Sequence, residues 1–330
     1  TRPHTHTHTH THLLSSAMSQ VSAAAAAAPG PATTTAAAPH RTAPRSGWFT
    51  IPEPLRLVFK RFPLVTYAPN ELPVRSPSNR YLPVLYVFAS DQDALKGLPS
   101  YNPSCLKWQT FLKLAGVQFR LAPSSNHASP TGALPFLIPP SSPSDAASQI
   151  PIPSNKLESY ALEKGTEKLA DTTGSKLDAY QALLDHRIRN AWLYALYLSP
   201  GNSSLLSQLY VEPCSASMVV RTTILHKLRR AAEAEVLQSI GAPRVPPTTL
   251  YIGAEQAFEA LSAGLGSDEW FFGNSRPGLF DAAVFAYTHL LLDDNLAWID
   301  TRLRDSLLKF PALVGHRKRL LSRCWGKANE

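Results

Sequence analysis

Leu98-Pro99-Ser100-Tyr101-Asn102-Pro103-Ser104-Cys105-Leu106 joins two segments of different pattern. Before it, Leu82-Pro83-Val84-Leu85-Tyr86-Val87-Phe88 is an apolar run of strand length. After it, the pattern predicts a helix from Cys105 to Ala115, with Ser104 as its N-cap and Gly116 as its stop. Val117-Gln118-Phe119-Arg120-Leu121 then alternates like a second strand. Gly132-Ala133-Leu134-Pro135-Phe136-Leu137-Ile138 reads as a third strand with a proline at its mouth. A Pro/Ser-rich loop over 139–153 leads to a helix with Leu157, Ala161 and Leu162 on one side.

Strand, helix, strand, proline-led strand and helix is the order of a thioredoxin-like domain, expected over 81–165. The remaining 166–330 is helical in pattern. Leu177, Tyr180, Leu184, Ile188, Ala191 and Ala195 mark a stripe of period 3.6 in a helix from about 177 to 198. Further helices are expected over 217–240, 254–265, 279–292, around 296–307 and over 313–324. The fold class is therefore α/β plus all-α, with the two-domain architecture of a glutathione transferase.

The flanking sequence differs. Residues 1–46 are low in complexity, opening with a His/Thr alternation (His4 to His12) and continuing through an Ala/Pro/Thr stretch; a disordered tail is expected. The chain starts at Thr1 and its first methionine is Met18, which suggests a trimmed or over-extended start. Over 47–80, Leu55, Val58, Phe59 and Phe62 form the apolar face of a short helix between Pro54 and Pro63. With Leu64 and Tyr67 they make a candidate partner-docking segment.

Composition narrows the function. The net charge is +8, from 32 Lys and Arg against 24 Asp and Glu, but the basic residues are scattered and the densest run is Arg317-Lys318-Arg319. No zinc-finger or RNA-binding motif accompanies them, so no nucleic-acid partner is expected. The three cysteines, Cys105, Cys214 and Cys324, form neither a disulfide framework nor a metal-ligand spacing. The longest apolar stretch, 282–299, is interrupted by Asp293 and Asp294, and the final residues form no apolar anchor. Any membrane attachment is thus expected to be peripheral.

For chemistry, Cys105 stands at a helix start, where the dipole lowers a thiol pKa. A dithiol oxidoreductase would need a second cysteine at 102, where Asn102 stands instead. Leu134-Pro135 would be a cis-proline by analogy with thioredoxin-like folds, presenting backbone to a glutathione-like ligand. Glu158-Ser159 resembles the Glu-Ser pair that holds the γ-glutamyl group in transferases. No hydroxyl nucleophile is picked out by a motif among Tyr86, Ser90, Tyr101 and Ser104. No cofactor and no metal are assigned. Trp270-Phe271-Phe272 is read as core, and His289 and His316 as ordinary histidines without acidic partners at ligand spacing.

Two stretches carry a family resemblance. The 98–106 segment, its Ala115-Gly116 helix end and Ser129-Pro130-Thr131-Gly132-Ala133-Leu134-Pro135 are similar to metaxins. So is Phe271-Phe272-Gly273-Asn274-Ser275-Arg276-Pro277-Gly278-Leu279-Phe280-Asp281-Ala282, although a Ser or Thr usually stands where Gly278 is. The resemblance covers about 81–324. It implies a non-enzymatic subunit of the mitochondrial sorting and assembly machinery, on the cytosolic face of the outer membrane. The implied partners are the β-barrel assembly subunit, a second metaxin-type subunit and β-barrel precursors. The alternatives are a glutathione-dependent transferase, for which Cys105, Pro135, Glu158 and Ser159 would form the site, and a soluble scaffold of the same fold.

Overall fold

The computed structural model describes residues 82–140, 150–170 and 174–326. The candidate docking residues Leu55, Val58, Phe59, Phe62, Leu64 and Tyr67 lie outside them.

Four strands form one mixed sheet in the order β2-β1-β3-β4. β1 (Val84–Val87) runs parallel to β2 (Arg120–Pro123), with Val84 opposite Arg120. β3 (Phe136–Ile138) is antiparallel to β1, and β4 (Ile152–Pro153) antiparallel to β3. The parallel pair needs a crossover. It is provided by α1 (Asp91–Lys96) and α2 (Pro103–Leu114). α3 (Leu157–Lys164) follows β4.

Helix α2 begins two residues earlier than the sequence pattern suggests, because Asn102 and not Ser104 is its cap. The Asn102 Oδ1 accepts from the Cys105 N–H at 3.2 Å, and Pro103 occupies the first turn, where its missing N–H costs nothing. In α3, Leu157 and Ala161 are buried as expected, whereas Leu162 is 63% exposed. At one turn of 3.6 residues, Leu162 lies about 100° from Ala161 and leaves the buried stripe.

The helical part opens with α4 (175–198), in which α-helical turns alternate with wider π-type turns at Leu184–Ile188 and Tyr194–Leu198. Short helical turns over 200–214 follow. Then come α5 (Met218–Ile240), α6 (Pro247–Leu265), α7 (Leu279–Leu292), α8 (Arg302–Leu308) and α9 (Pro311–Trp325). The stretch expected around 296–307 is thus a loop followed by the shorter α8. Helix α7 is buried from Phe280 through Leu292, and it packs along α2. A helix apolar on every side must be enclosed by protein or lipid. Here α2, α8 and α9 pack against it, and Trp192 of α4 meets its Tyr287 edge-on. No helix among the described residues is long and apolar enough to cross a membrane.

Candidate functional site

The end of the sheet where β1 finishes collects three features. The chain leaves β1 at Val87 and reaches the start of α2. Phe136 pairs with Tyr86, so Pro135 stands just beyond the C-terminal end of β1. Phe136 also pairs with Pro153, which places the start of α3, with Glu158 and Ser159, at that same end. The topology therefore assembles the sequence candidates from 105, 135, 158 and 159 around one rim.

Their states differ. The Leu134–Pro135 peptide bond is cis, as the analogy implied. Leu134 donates its N–H to Asn126 Oδ1 at 2.9 Å, and Ser129 Oγ donates to the Ala133 carbonyl at 2.6 Å. The backbone donor that the analogy would offer to a ligand is therefore engaged by a side chain of the same loop. Glu158 and Ser159 are exposed on the first turn of α3.

Cys105 is fully buried, with no accessible surface. Burial pushes its thiol up to about 12, although the Phe88 backbone and the Ser100 side chain oppose the shift. The expectation that a helix start lowers this thiol's pKa is thus overturned. Removing a thiolate from water costs more than a helix end returns, since the dipole contributes about 0.3–1 kcal/mol at an ordinary site.

Polar groups close the loop around this thiol. Ser100 Oγ donates to the Phe88 carbonyl at 2.6 Å, and the Ser100 N–H donates to Gln109 Oε1 at 2.9 Å. Gln109 Nε2 in turn donates to the Leu98 carbonyl at 2.8 Å, tying both sides of the loop to α2. Asn102 uses its other end on the helical part, where its Nδ2 donates to the Tyr210 hydroxyl at 3.1 Å. Tyr210 packs edge-on to Phe88 and Tyr101, with ring centroids 5.2 and 5.3 Å away, and stands 5.9 Å from Tyr197. Burial raises Tyr210 well above its ordinary value and pushes Tyr197 up to about 12. It raises Tyr101 as well. These phenols are protonated at neutral pH and act as hydrogen-bonding and packing groups.

Sequence reasoning missed Ser100, Gln109 and Tyr210. Ser100 lies within the singled-out 98–106 stretch, and Gln109 interrupts an otherwise apolar helix face, a usable signal of a buried polar partner. Tyr210 has no local signal, because its partner is 108 residues away.

A second buried network lies at the start of α7. Asp281, at the third helical position, accepts from the Gly278 N–H at 2.8 Å and from the Phe271 N–H at 3.0 Å. His316 Nε2 lies 2.9 Å from the same carboxylate, which can only accept, so that nitrogen carries the proton. The reading of His316 as lacking an acidic partner is corrected: helix packing supplies Asp281 from 35 residues away. Trp270 and Phe271 are buried and meet the His316 ring edge-on, so the core reading of these aromatics holds.

This architecture, a thioredoxin-like mixed sheet followed by a helical bundle, is glutathione-transferase-like. Residues 103–202 match the family model described as glutathione S-transferase N-terminal domain, and residues 254–320 match that of the glutathione S-transferase C-terminal domain. Among solved structures, a glutathione S-transferase from Xanthobacter autotrophicus Py2 is 15% identical, with 73% of this chain and 93% of that one covered and a TM-score of 0.36. The beta-etherase LigF from Sphingobium sp. strain SYK-6 is 13% identical, covering 75% and 98% at a TM-score of 0.47. FzlA from C. crescentus is 14% identical, covering 75% and 92% at a TM-score of 0.44. The sequence matches no curated protein at a significant level. The expectation that the chain is not an enzyme is corrected here, because both matching domain models describe an enzyme class.

Proposed function

We propose that this protein is a glutathione-transferase-fold subunit of the outer-membrane β-barrel sorting and assembly machinery, held on the cytosolic face of mitochondria. In this reading it recognises the core barrel subunit, a second metaxin-type subunit and incoming β-barrel precursors. The metaxin-like stretches at 98–106 and 271–282 motivate the reading. The observation that carries it is the closed state of the candidate site, where Asn102 is bonded to Tyr210 and the Cys105 thiol is enclosed. Partners of extended, amphipathic character suit strand addition or an apolar groove on the protein's outer surface. Affinity purification from gently solubilised mitochondria, with mass spectrometry of the co-purifying proteins, tests it. Recovery of an outer-membrane barrel protein and a second metaxin is expected; recovery of neither, with the chain in the cytosol, sinks the proposal.

A second reading, glutathione-dependent transfer, is favoured by the two transferase domain matches and by the gathering of Pro135, Glu158 and Ser159 at one rim. Here glutathione would lie against the Leu134–Pro135 backbone, with Glu158 and Ser159 receiving its γ-glutamyl end. Retention on glutathione resin that is lost in Glu158→Ala/Ser159→Ala supports this reading, and passage of the native chain through the resin eliminates it.

A further inference from the structure

The opposite end of the sheet is open. Arg120 pairs with Val84, the first residue of β1, so β2 begins at the end remote from the candidate site. A cleft of about 480 Å³ lies there, lined by the end of α1, the end of α2, the start of β2 and the last turn of α9. Four cationic side chains line it, Lys96, Lys113, Arg120 and Arg323, and none of its lining residues is acidic. Leu95, on the same rim, is 88% exposed.

The bland account of these cations is helix-end compensation, since Lys96, Lys113 and Arg323 each stand in the last turn of a helix. Magnitudes decide against it as the whole explanation. A helix C-terminus carries roughly half a unit of negative charge. Three such ends offset about one and a half of the three charges carried by Lys96, Lys113 and Arg323, and a net positive charge remains. Lys113 shows the consequence. Its Nζ is held by the Cys324 carbonyl at 3.2 Å and by the face of Trp325, 5.0 Å from the ring centroid. Burial lowers its pKa, so the ammonium pays a desolvation cost that an anion would relieve. The cleft is also built firmly: the Trp325 indole N–H donates to the Gly97 carbonyl at 2.9 Å and joins α9 to the end of α1. Beyond Arg323, Lys318 and Arg319 line a neighbouring hollow together with Glu269, whose backbone carbonyl accepts from Arg319 at 2.9 Å.

We infer that this cleft, where Lys96, Lys113, Arg120 and Arg323 surround an opening rimmed by exposed Leu95, binds the phosphate headgroup of an anionic phospholipid at a membrane surface. Cations beside an exposed leucine suit a lipid better than a free anion, because the apolar side chain gains only where acyl chains lie next to the phosphate. The inference is independent of the assembly role, since it rests on the cleft alone.

Flotation of the full chain with vesicles tests it. Binding is expected to vesicles of phosphatidylcholine mixed with phosphatidylglycerol, and not to phosphatidylcholine alone. Lys96→Gln/Arg323→Gln, at two exposed positions, lowers the partition coefficient about thirtyfold, as two lost surface cations predict. Leu95→Ser lowers it about fivefold, for partial loss of a buried leucine. Lys227→Gln/Arg230→Gln, exposed on α5, serves as the charge-matched control and changes it less than twofold, and unaltered thermal unfolding confirms that the variants fold. Equal losses from the cleft pair and the control pair reduce the binding to net charge and overturn the site. Saturable binding of inorganic pyrophosphate or an oligonucleotide, without flotation on either vesicle, overturns the lipid assignment.

Discussion

Helices α2 and α7 pack against each other, and both start with a buried polar group, but they are capped from opposite sides. Asn102 caps α2 from outside the helix, as a neutral amide that accepts from Cys105 and donates to Tyr210. Asp281 caps α7 from inside, as a carboxylate holding the Gly278 and Phe271 N–H groups and His316. The first is an exchange of neutral hydrogen bonds, worth about 1 kcal/mol net each. The second is a charge-assisted hub at 1% exposure, where losing the carboxylate strands three buried donors. The same local task, starting a helix, therefore carries different weight. At α2 it closes a candidate site, and at α7 it holds the core together.

The largest effect is expected of Asp281→Ala. It is expected to cost about 4 kcal/mol, in the range of buried pairs that lose one partner, read from urea unfolding. A loss no larger than that of Asn102→Ala would abolish the distinction. The next largest effect belongs to His289, on α7 and nearly buried, whose two ring nitrogens have no hydrogen-bond partner. Burial and Arg317 push its pKa down to about 4, while Asp293 pulls the other way. The folded value lies below the unfolded one, so the unfolded chain takes up the proton first. Stability should fall as pH drops from about 6.5 to about 4, by up to about 3 kcal/mol, and level off below. His289→Leu should flatten that limb, and an unchanged limb would place the acid sensitivity elsewhere.

Asn102→Ala should cost about 1–2 kcal/mol, the sum of a lost cap and an unpaired phenol. A double-mutant cycle with Tyr210→Phe should return a coupling of about 1 kcal/mol. In the same variant, Cys105 should become reactive to a thiol reagent, whereas in the native chain labelling is expected first at the exposed Cys214. Fast native labelling of Cys105 would mean that the site opens without the substitution. The smallest effect is expected of Gly278→Ser, which adds a side-chain acceptor at the start of α7. A Cβ there would stand 3.1 Å from the Ala170 carbonyl. Serine gains only a few tenths of a kcal/mol over glycine as a cap. The crowding should leave the variant slightly less stable, by under about 1 kcal/mol.

Much of this was legible from residues close together in the chain. The order of strands and helices apart from α1 and β4, the full extent of α7 and the end of α5 at Ile240 follow from periodicity and breakers within about one helical turn. The cis bond at Leu134–Pro135 was reached by analogy with thioredoxin-like folds and not from local pattern. The same local logic misplaced the cap of α2 by two residues, because Ser104 and Asn102 are both good caps and only backbone geometry chooses between them.

Burial and distant pairing were decided by tertiary structure. Cys105 looks like an activated thiol when its helix is considered alone, and becomes an inert one when the sheet and Tyr210 enclose it. Asp281 meets a histidine 35 positions on, and Lys113 reaches a carbonyl 211 positions on to form one wall of the basic cleft. Chain stiffness and hydrogen-bond spacing act over a few residues, so a sequence reveals them directly. Desolvation and Coulomb interactions depend on distance through space, and only the packed helices bring those charges and phenols within reach.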